Sequence, residues 1–198
     1  KQTIAKLRNL NNAQIGLENT LIDSEQTRTQ VKHDLAEAQA LDGLMGALKD
    51  SIQDNSRIVS EGNYINAEPN KKQAYDNAVQ VAQNIINGTN QPTLNKGEIS
   101  RATNNVISTK EALDGNTRLA NAQRDANQTI TNLPNLNEAQ KDANKLAINN
   151  ANTLEQVQQN LQIAQELDNA MGSLRQSIAN KDQVRSESRY LNLSVIHI

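Results

Sequence analysis

The longest regular pattern in the chain is an apolar stripe with spacings of three and four residues, typical of one face of an amphipathic α-helix. It occurs twice, as Val31, Leu35, Ala38, Leu41, Met45, Leu48 and Ile52, and as Val157, Leu161, Ala164, Leu167, Met171, Leu174 and Ile178. No proline follows the first copy until Pro69. The pattern predicts one helix from about Thr27 to Gly62, about 50 Å long at 1.5 Å per residue. Such a helix is too long for one small bundle, so we predict that it ends one bundle and begins the next.

Both copies of this helix begin with the same start signal. Thr153 followed by Gln156 is a capping box, in which the two side chains satisfy free amide groups at a helix start. The first copy keeps the pair as Thr27 and Gln30. The retained pair predicts that each helix begins directly after its threonine.

Two shorter helices are predicted before the second copy. One covers 121–133, with Ala122, Ala126, Ile130 and Leu133 on one face, and Pro134 ends it. The other covers 137–149. Its residues predicted to face the core are Ala139, Ala143, Leu146 and Ala147.

Two further helices follow the first long helix. Pro69 suits the first position of a helix that runs to Ile86. Residues 87–92 are a predicted loop, and another helix begins near Leu94 or Asn95. This last helix is expected to pass through Gly115 into the next bundle, with a kink at Gly115 and Asn116.

The chain repeats with a period of 126 residues. Residues 2–66 return as 128–192, and 27 of these 65 paired positions are identical without a gap. Inside the period, Ala40-Leu41-Asp42-Gly43 recurs as Ala112-Leu113-Asp114-Gly115. The two offsets predict alternating modules of about 70 and about 55 residues, each with this motif near the end of its last helix. Repeat arrays are usually scaffolds, spacers or binding surfaces rather than enzymes.

Composition narrows the class of protein. The chain has no Cys, Trp or Phe, and only 8 Gly and 3 Pro, which favours long helices with aliphatic cores. A net charge of −2 with interspersed signs does not suit nucleic-acid binding. We find no apolar run long enough to span a membrane. The chain begins at Lys1, so we expect it to be a fragment whose targeting signals lie elsewhere.

No residues suggest catalysis. The histidines are His33, on a predicted helix surface, and His197, and neither has the partners of a nucleophilic site. Glu111 and Asp114 are three residues apart but lack the spacing of a calcium loop. We therefore predict no enzyme activity, no catalytic or metal-binding residues and no cofactor.

Several residues have both a structural and a binding interpretation. Gly46 and Gly172, each after a methionine that we assign to the core, favour close helix approach over ligand contact. Tyr64 and Tyr190 open the same predicted break, where a ring can pack while its hydroxyl reaches water. Packing is the favoured role, and contact with a protein or glycan partner is the alternative.

Two sets of short sequence motifs resemble known families of protein modules. One resembles the GA module of Gram-positive surface proteins. It consists of Leu136-Asn137-Glu138-Ala139-Gln140, Thr153-Leu154-Glu155-Gln156-Val157 and Leu167-Asp168-Asn169-Ala170-Met171. The other resembles the FIVAR module. It consists of Tyr64-Ile65-Asn66-Ala67 and Lys72-Gln73-Ala74-Tyr75-Asp76-Asn77-Ala78. Their alternation over residues 1–192 resembles the giant staphylococcal surface proteins that bind extracellular matrix.

This resemblance implies a cell-wall-associated adhesin on the bacterial surface. Its partners would be extracellular-matrix or plasma proteins, with fibronectin favoured. Related GA modules bind serum albumin, but residues 136–152 contain no Tyr or Phe, which speaks against albumin here. The ligand-binding residues stay unknown. The alternative function is a mechanical spacer or a rod that reinforces the cell wall and has no tight ligand.

The predicted fold is all-α: an elongated string of three-helix bundles joined by long shared helices, in an elongated monomer. The segments are 1–52, a GA-like module truncated at its N-terminus; 53–116, a FIVAR-like module; 117–178, a second GA-like module; and 179–192, the start of another FIVAR-like module. The last six residues, 193–198, do not follow the repeat. We expect them to be an artificial cloning scar.

Overall fold

The computed structural model describes residues 2–88, 92–187 and 189–191. Within these ranges a short 3-10 helix (Ile4–Lys6) precedes ten α-helices, and there is no strand. The helices are α1 (Asn12–Ser24), α2 (Arg28–Ile52), α3 (Asn55–Ile58), α4 (Gly62–Ile65), α5 (Pro69–Asn87), α6 (Lys96–Glu111), α7 (Gly115–Thr131), α8 (Glu138–Asn149), α9 (Leu154–Ile178) and α10 (Lys181–Ser186). The chain divides into two compact units, Lys1–Asn116 and Thr117–Ile198.

Several helices have a capping side chain at the N-terminus, and these caps lie at equivalent positions in the two copies of the repeat. Asn11 begins α1 and Asn137 begins α8, and each accepts a hydrogen bond of 2.9 Å from the backbone N–H three residues on. Both positions are complete capping boxes. The predicted box at Thr153 and Gln156 is complete as well, and at α2 Thr27 keeps the hydrogen bond from the backbone. The predicted starts of α2 and α9 are therefore confirmed.

Helix α2 is shared between two bundles of the first unit. It packs against α1 and the 3-10 helix, and also against α5 and α6. Leu41, Met45 and Leu48 on α2 are at most 1% exposed and lie in one core with Tyr75 of α5 and Ile99 of α6. The predicted sharing of a helix by two bundles is confirmed in this unit.

The second unit has a smaller core. Ala126 and Ile130 of α7, Ile148 of α8, and Val157 and Ala164 of α9 form it. The C-terminal part of α9 is largely uncovered. Its Leu174 and Ile178, the counterparts of Leu48 and Ile52, are each 54% exposed.

The predicted helix over 27–62 is wrong in its second part, because α2 ends at Ile52. At Asp54 the backbone leaves helical geometry (φ −94°, ψ 10°), and its carboxylate binds Lys110 of α6 at 2.5 Å. The short helix α3 then buries Ile58. Because the turn returns an apolar residue to the core, the break leaves the apolar spacing of the sequence nearly intact.

The predicted second linking helix is also interrupted. Helix α6 ends at Glu111 and α7 begins at Gly115. Asn63 bridges the break: its Nδ2 donates to the carbonyl oxygen of Leu113 at 3.2 Å, and its Oδ1 accepts from the N–H of Asn116 at 3.1 Å. The break therefore precedes the predicted kink and is stabilised by a side chain from the first turn of α4.

The predicted core face of α8 is wrong. The residues assigned to the core are not buried there: Ala139, Ala143, Leu146 and Ala147. Ile148 is instead fully buried, and Gln140 and Asn144 are half-buried on the same side. Asn144 Nδ2 donates to the carbonyl oxygen of Gln140 at 2.8 Å, so this amide turns inward with a hydrogen bond already made.

The all-α class and the helical bundles are confirmed by the described residues. The module boundaries at 52, 116 and 178 stay predictions. Residues 193–198, including His197, lie outside the described ranges.

Burial of the shared helix generates a matched test. We expect Leu48→Ala to destabilise the first unit by about 3–5 kcal/mol, because its fully buried side chain would leave a cavity. At the same repeat position, Leu174→Ala should cost about 0.5 kcal/mol or less, because this side chain is 54% exposed. Urea unfolding combined with hydrogen exchange of amides in each unit measures both. Equal costs would contradict the unequal burial.

Candidate interaction surfaces

Helix α1 and helix α8 each carry an exposed apolar stripe on the outer face, at corresponding positions of the repeat, and we name this feature the outer stripe. Its members are Ala13, Leu17 and Leu21 on α1, and Ala139, Ala143, Leu146 and Ala147 on α8. Leu17, Leu21 and Leu146 are 40%, 46% and 61% exposed. The stripe recurs with the period of the repeat. Apolar side chains that line up on a surface, rather than being scattered singly, indicate a contact surface for a partner.

Polar residues on the opposite face of α1 explain why its leucines point outward. Gln14 is fully buried, and its Nε2 donates to the carbonyl oxygen of Thr93 at 2.8 Å. Asn11 Nδ2 donates to the carbonyl oxygens of Ile85 and Ile86, both at 3.3 Å. These carbonyls lie at the C-terminal end of α5, where helix carbonyl groups lack partners within the helix. Hydrogen bonds to neighbouring elements thus set the orientation of α1.

A clamp between a loop asparagine and a helix aspartate occurs once in each unit. Asp42 accepts from the N–H of Asn9 at 2.7 Å and from its Nδ2 at 3.1 Å. Asp168 binds Asn135 in the same way and at the same distances. One turn further along each helix, a Cβ on the Met-Gly glycine would lie 2.9 Å from that asparagine Nδ2. The predicted close approach of another helix at these glycines is wrong, because the close neighbour is a loop side chain.

The two Ala-Leu-Asp-Gly motifs take different structures. Asp42 lies inside α2, as the sequence interpretation expected, whereas Asp114 lies in the break between α6 and α7. Asp114 accepts from the N–H of Glu68 at 3.0 Å and pairs with Lys71 at 2.9 Å. The prediction of a helical motif is therefore wrong for the second occurrence.

The tyrosines differ in burial. Tyr75 is fully buried, and burial raises its pKa to about 12. Tyr64 packs edge-on against it with ring centroids 6.2 Å apart, and its hydroxyl donates to the Asp76 carboxylate at 2.9 Å. Lys72 Nζ lies 5.7 Å from the Tyr64 ring centroid. Tyr190 is 46% exposed, so its ring is open to solvent or a partner.

The other singled-out residues show no reactive arrangement. His33 and Glu111 are exposed on helix surfaces, and Met45 is buried while Met171 is half-buried. No three His, Cys, Asp or Glu side chains are close enough to hold a metal ion in the part of the chain that the structure describes. In the same ranges, no helix combines the length and apolar character needed to cross a membrane.

Family models match both kinds of module. The GA module matches residues 1–43 and 116–170, and the FIVAR domain matches residues 44–114.

Curated relatives match nearly the whole chain. It is 52% identical over 192 residues, 97% of its length, to "Extracellular matrix-binding protein EbhA" of Staphylococcus aureus (strain Newman). It is equally similar to "Extracellular matrix-binding protein ebh" of Staphylococcus aureus (strain USA300 / TCH1516). The chain spans only 6% of the first relative and 2% of the second.

Solved structures share the fold. A domain of EbhA from Staphylococcus aureus is 32% identical with a TM-score of 0.79, covering 83% of this chain and 67% of that one. A second Staphylococcus aureus domain, described as similar to streptococcal adhesins, is 35% identical with a TM-score of 0.59, covering 64% of this chain and 98% of that one. A third structure, 29% identical with a TM-score of 0.55, covers 57% of this chain and 89% of that one. It belongs to the characterization of Embp-mediated adherence of Staphylococcus epidermidis to fibronectin.

The two Ala-Leu-Asp-Gly motifs should respond oppositely to the same substitution. A Cβ at Gly115 would lie 2.4 Å from the backbone oxygen of Asn63 and 2.6 Å from that of Gly62. We expect Gly115→Ala to destabilise the first unit by about 1–3 kcal/mol through overpacking. Gly43 has nothing within 4 Å, so Gly43→Ala should stabilise α2 by about 0.5–1 kcal/mol. Urea unfolding of both variants measures the signs, and a shared sign would contradict the structural difference.

Proposed function

The chain belongs to the Ebh family of staphylococcal extracellular matrix-binding proteins, built from GA and FIVAR modules, and from this premise we propose that it is a non-enzymatic repeat segment of a cell-wall-associated adhesin. Its partner would be an extracellular-matrix or plasma protein, with fibronectin as the first choice. The names of the curated relatives describe matrix-binding proteins. The structural relative from the work on Embp-mediated adherence to fibronectin supports that choice.

The outer stripe is the observation that carries the proposal. Its three leucines are 40–61% exposed although they sit on helices whose other faces are packed. Side chains left in water contribute little to folding, and covering them with a partner gains hydrophobic free energy on binding. The stripe is a narrow helical ridge of leucine and alanine, which fits a complementary apolar groove on a partner protein.

Repetition of the stripe supports adhesion through many weak contacts. This chain carries one stripe on α1 and another on α8, and its relatives are far longer than the chain. Weak binding at each module becomes strong when several modules engage one surface, because later contacts form at high effective concentration. Each stripe alone needs only modest affinity for fibronectin.

The second candidate function is a mechanical spacer without a tight ligand of its own. The continuous core around α2 supports it, because the same leucines are packed by two bundles. Pulling one bundle apart would expose residues that the other also buries, so the two should resist force together.

We expect a stripe variant that carries Leu17→Ser, Leu21→Ser and Leu146→Ser to bind immobilised fibronectin at least about tenfold more weakly than the unchanged chain. These exposed side chains contribute little to the folded state, so circular dichroism should be unchanged. Surface plasmon resonance with purified plasma fibronectin provides the measurement, with serum albumin as a second immobilised protein.

A matched control carries Val81→Ser and Ile107→Ser, which are 50% and 43% exposed and lie outside the stripe. Its affinity should match that of the unchanged chain. Equal weakening by both variants would rule out the stripe as the contact surface. An unchanged chain that retains no fibronectin, even when tethered densely, would favour the spacer.

A further inference from the structure

Helices α1 and α2 and the start of α6 line an open pocket of about 220 Å³, which we name the acidic pocket. Three carboxylates line it: Glu18 on α1 and Asp34 and Glu37 on α2. Its apolar wall consists of Leu21, Leu41 and Leu94. The pocket therefore combines negative charge with an aliphatic surface.

Glu18 is the least accessible of the three acids. The residue is only 4% exposed, and its carboxylate makes no hydrogen bond or ion pair to any residue that the structure describes. Burial raises its pKa, and the nearby carboxylates of Asp34 and Glu37 raise it further. The side chain lines the pocket, so a donor or a cation placed there would reach its carboxylate and stabilise the charged form.

The cation already present in the pocket is paired with one of its three acids. Lys96 Nζ binds the Glu37 carboxylate at 2.5 Å, and this hydrogen bond and charge lower the pKa of Glu37. His33, the neighbour of Asp34 on α2, also acts on Glu37 when protonated. Glu18 and Asp34 therefore line the pocket as two acceptors, and neither is paired with a positive charge of the described residues.

The second copy of the repeat has amides instead of carboxylates at two of these positions. Asn144 replaces Glu18 and donates to the carbonyl oxygen of Gln140 at 2.8 Å. Asn160 replaces Asp34 and donates to the carbonyl oxygen of Ala147 at 2.9 Å. A carboxylate cannot donate either hydrogen bond. The first copy thus has two carboxylates that need a donor from a ligand. At the same positions, the second copy has two amides that already hydrogen-bond to backbone carbonyl groups of their own module.

We propose that the acidic pocket binds an alkylammonium group, the cation at the end of a lysine side chain. Its three N–H donors match the acceptors of Glu18 and Asp34, and its methylene stem matches the three leucines. The metal-ion alternative is disfavoured, because no three acidic or imidazole side chains of the described residues converge as ligands. The pocket shares Leu21 with the outer stripe, but its charge comes from Glu18 and Asp34, which lie outside the stripe. Variants of these acids therefore test the pocket separately from the proposed matrix binding.

The test is an NMR titration of the full chain with Nα-acetyl-lysine-N-methylamide. The norleucine analogue, of similar length but without the ammonium group, is the neutral control, and spermidine represents a free polyamine. We expect saturable amide shifts around residues 18, 34 and 96, and a fall in the pKa of the Glu18 carboxyl on binding, because a nearby cation favours its charged form. Tighter binding of the lysine amide than of spermidine would assign the pocket to a protein partner, and the reverse order to a free amine.

The second module supplies the matched variant. Glu18→Asn, Asp34→Asn and Glu37→Ile together install the residues found at 144, 160 and 163, a set that this fold already accepts. The triple variant should lose the saturable shifts, and Glu18→Gln alone should weaken binding about tenfold through loss of one charge-assisted contact. Equal shifts with the norleucine analogue, or an unchanged affinity in the triple variant, would overturn the proposal. Neither result would bear on fibronectin binding.

Discussion

Burial of the apolar face of α2 from two sides is the constraint on which the first unit depends. The chain has no Phe or Trp, so its cores consist mainly of small aliphatic side chains, and one short bundle buries little apolar area. Sharing α2 solves this: Leu41, Met45 and Leu48 serve the bundle of α1 and the bundle of α5 and α6 at once. In the second unit, where no described element covers the same face, Leu174 is 54% exposed. The repeat therefore gains its stability from neighbours as well as from within each module.

Helix starts marked by a cap or a proline could be predicted from the sequence because their signals are local, whereas helix ends and helix faces could not. A capping residue acts within four residues, so Thr153 and Pro69 marked their helix starts correctly. The inward face depends on partners far along the chain. Gln14 is buried because Thr93 accepts its hydrogen bond, and Leu146 on α8 is exposed although its apolar neighbours predict a core position. The part of the outer stripe on α8 was visible in the sequence and was assigned to the core.

The two Ala-Leu-Asp-Gly motifs show why an identical local sequence does not determine a single structure. Asp42 and Asp114 both accept a backbone N–H, but from a loop that docks on a helix in one case and from the start of α5 in the other. The need of a free amide for an acceptor is common to both sites. Asn63 stabilises the interruption of the helix, because it bonds to Leu113 within the break at 112–114 and to Asn116 after it. That residue lies too far from the motif for a local pattern to include it.

Comparison of the two repeats separates residues that hold the fold from residues that are free to acquire a binding role. The clamp of Asn9 and Asp42 returns unchanged as Asn135 and Asp168, because either partner without the other would leave a polar group unsatisfied. Position 18 is under no such constraint, since its counterpart Asn144 occupies the same place with its own hydrogen bond. A repeat array can therefore keep one set of contacts throughout and change the chemistry of its pockets module by module. Binding that is specific to one module is therefore expected where the copies differ, and binding that is common to the array where they agree.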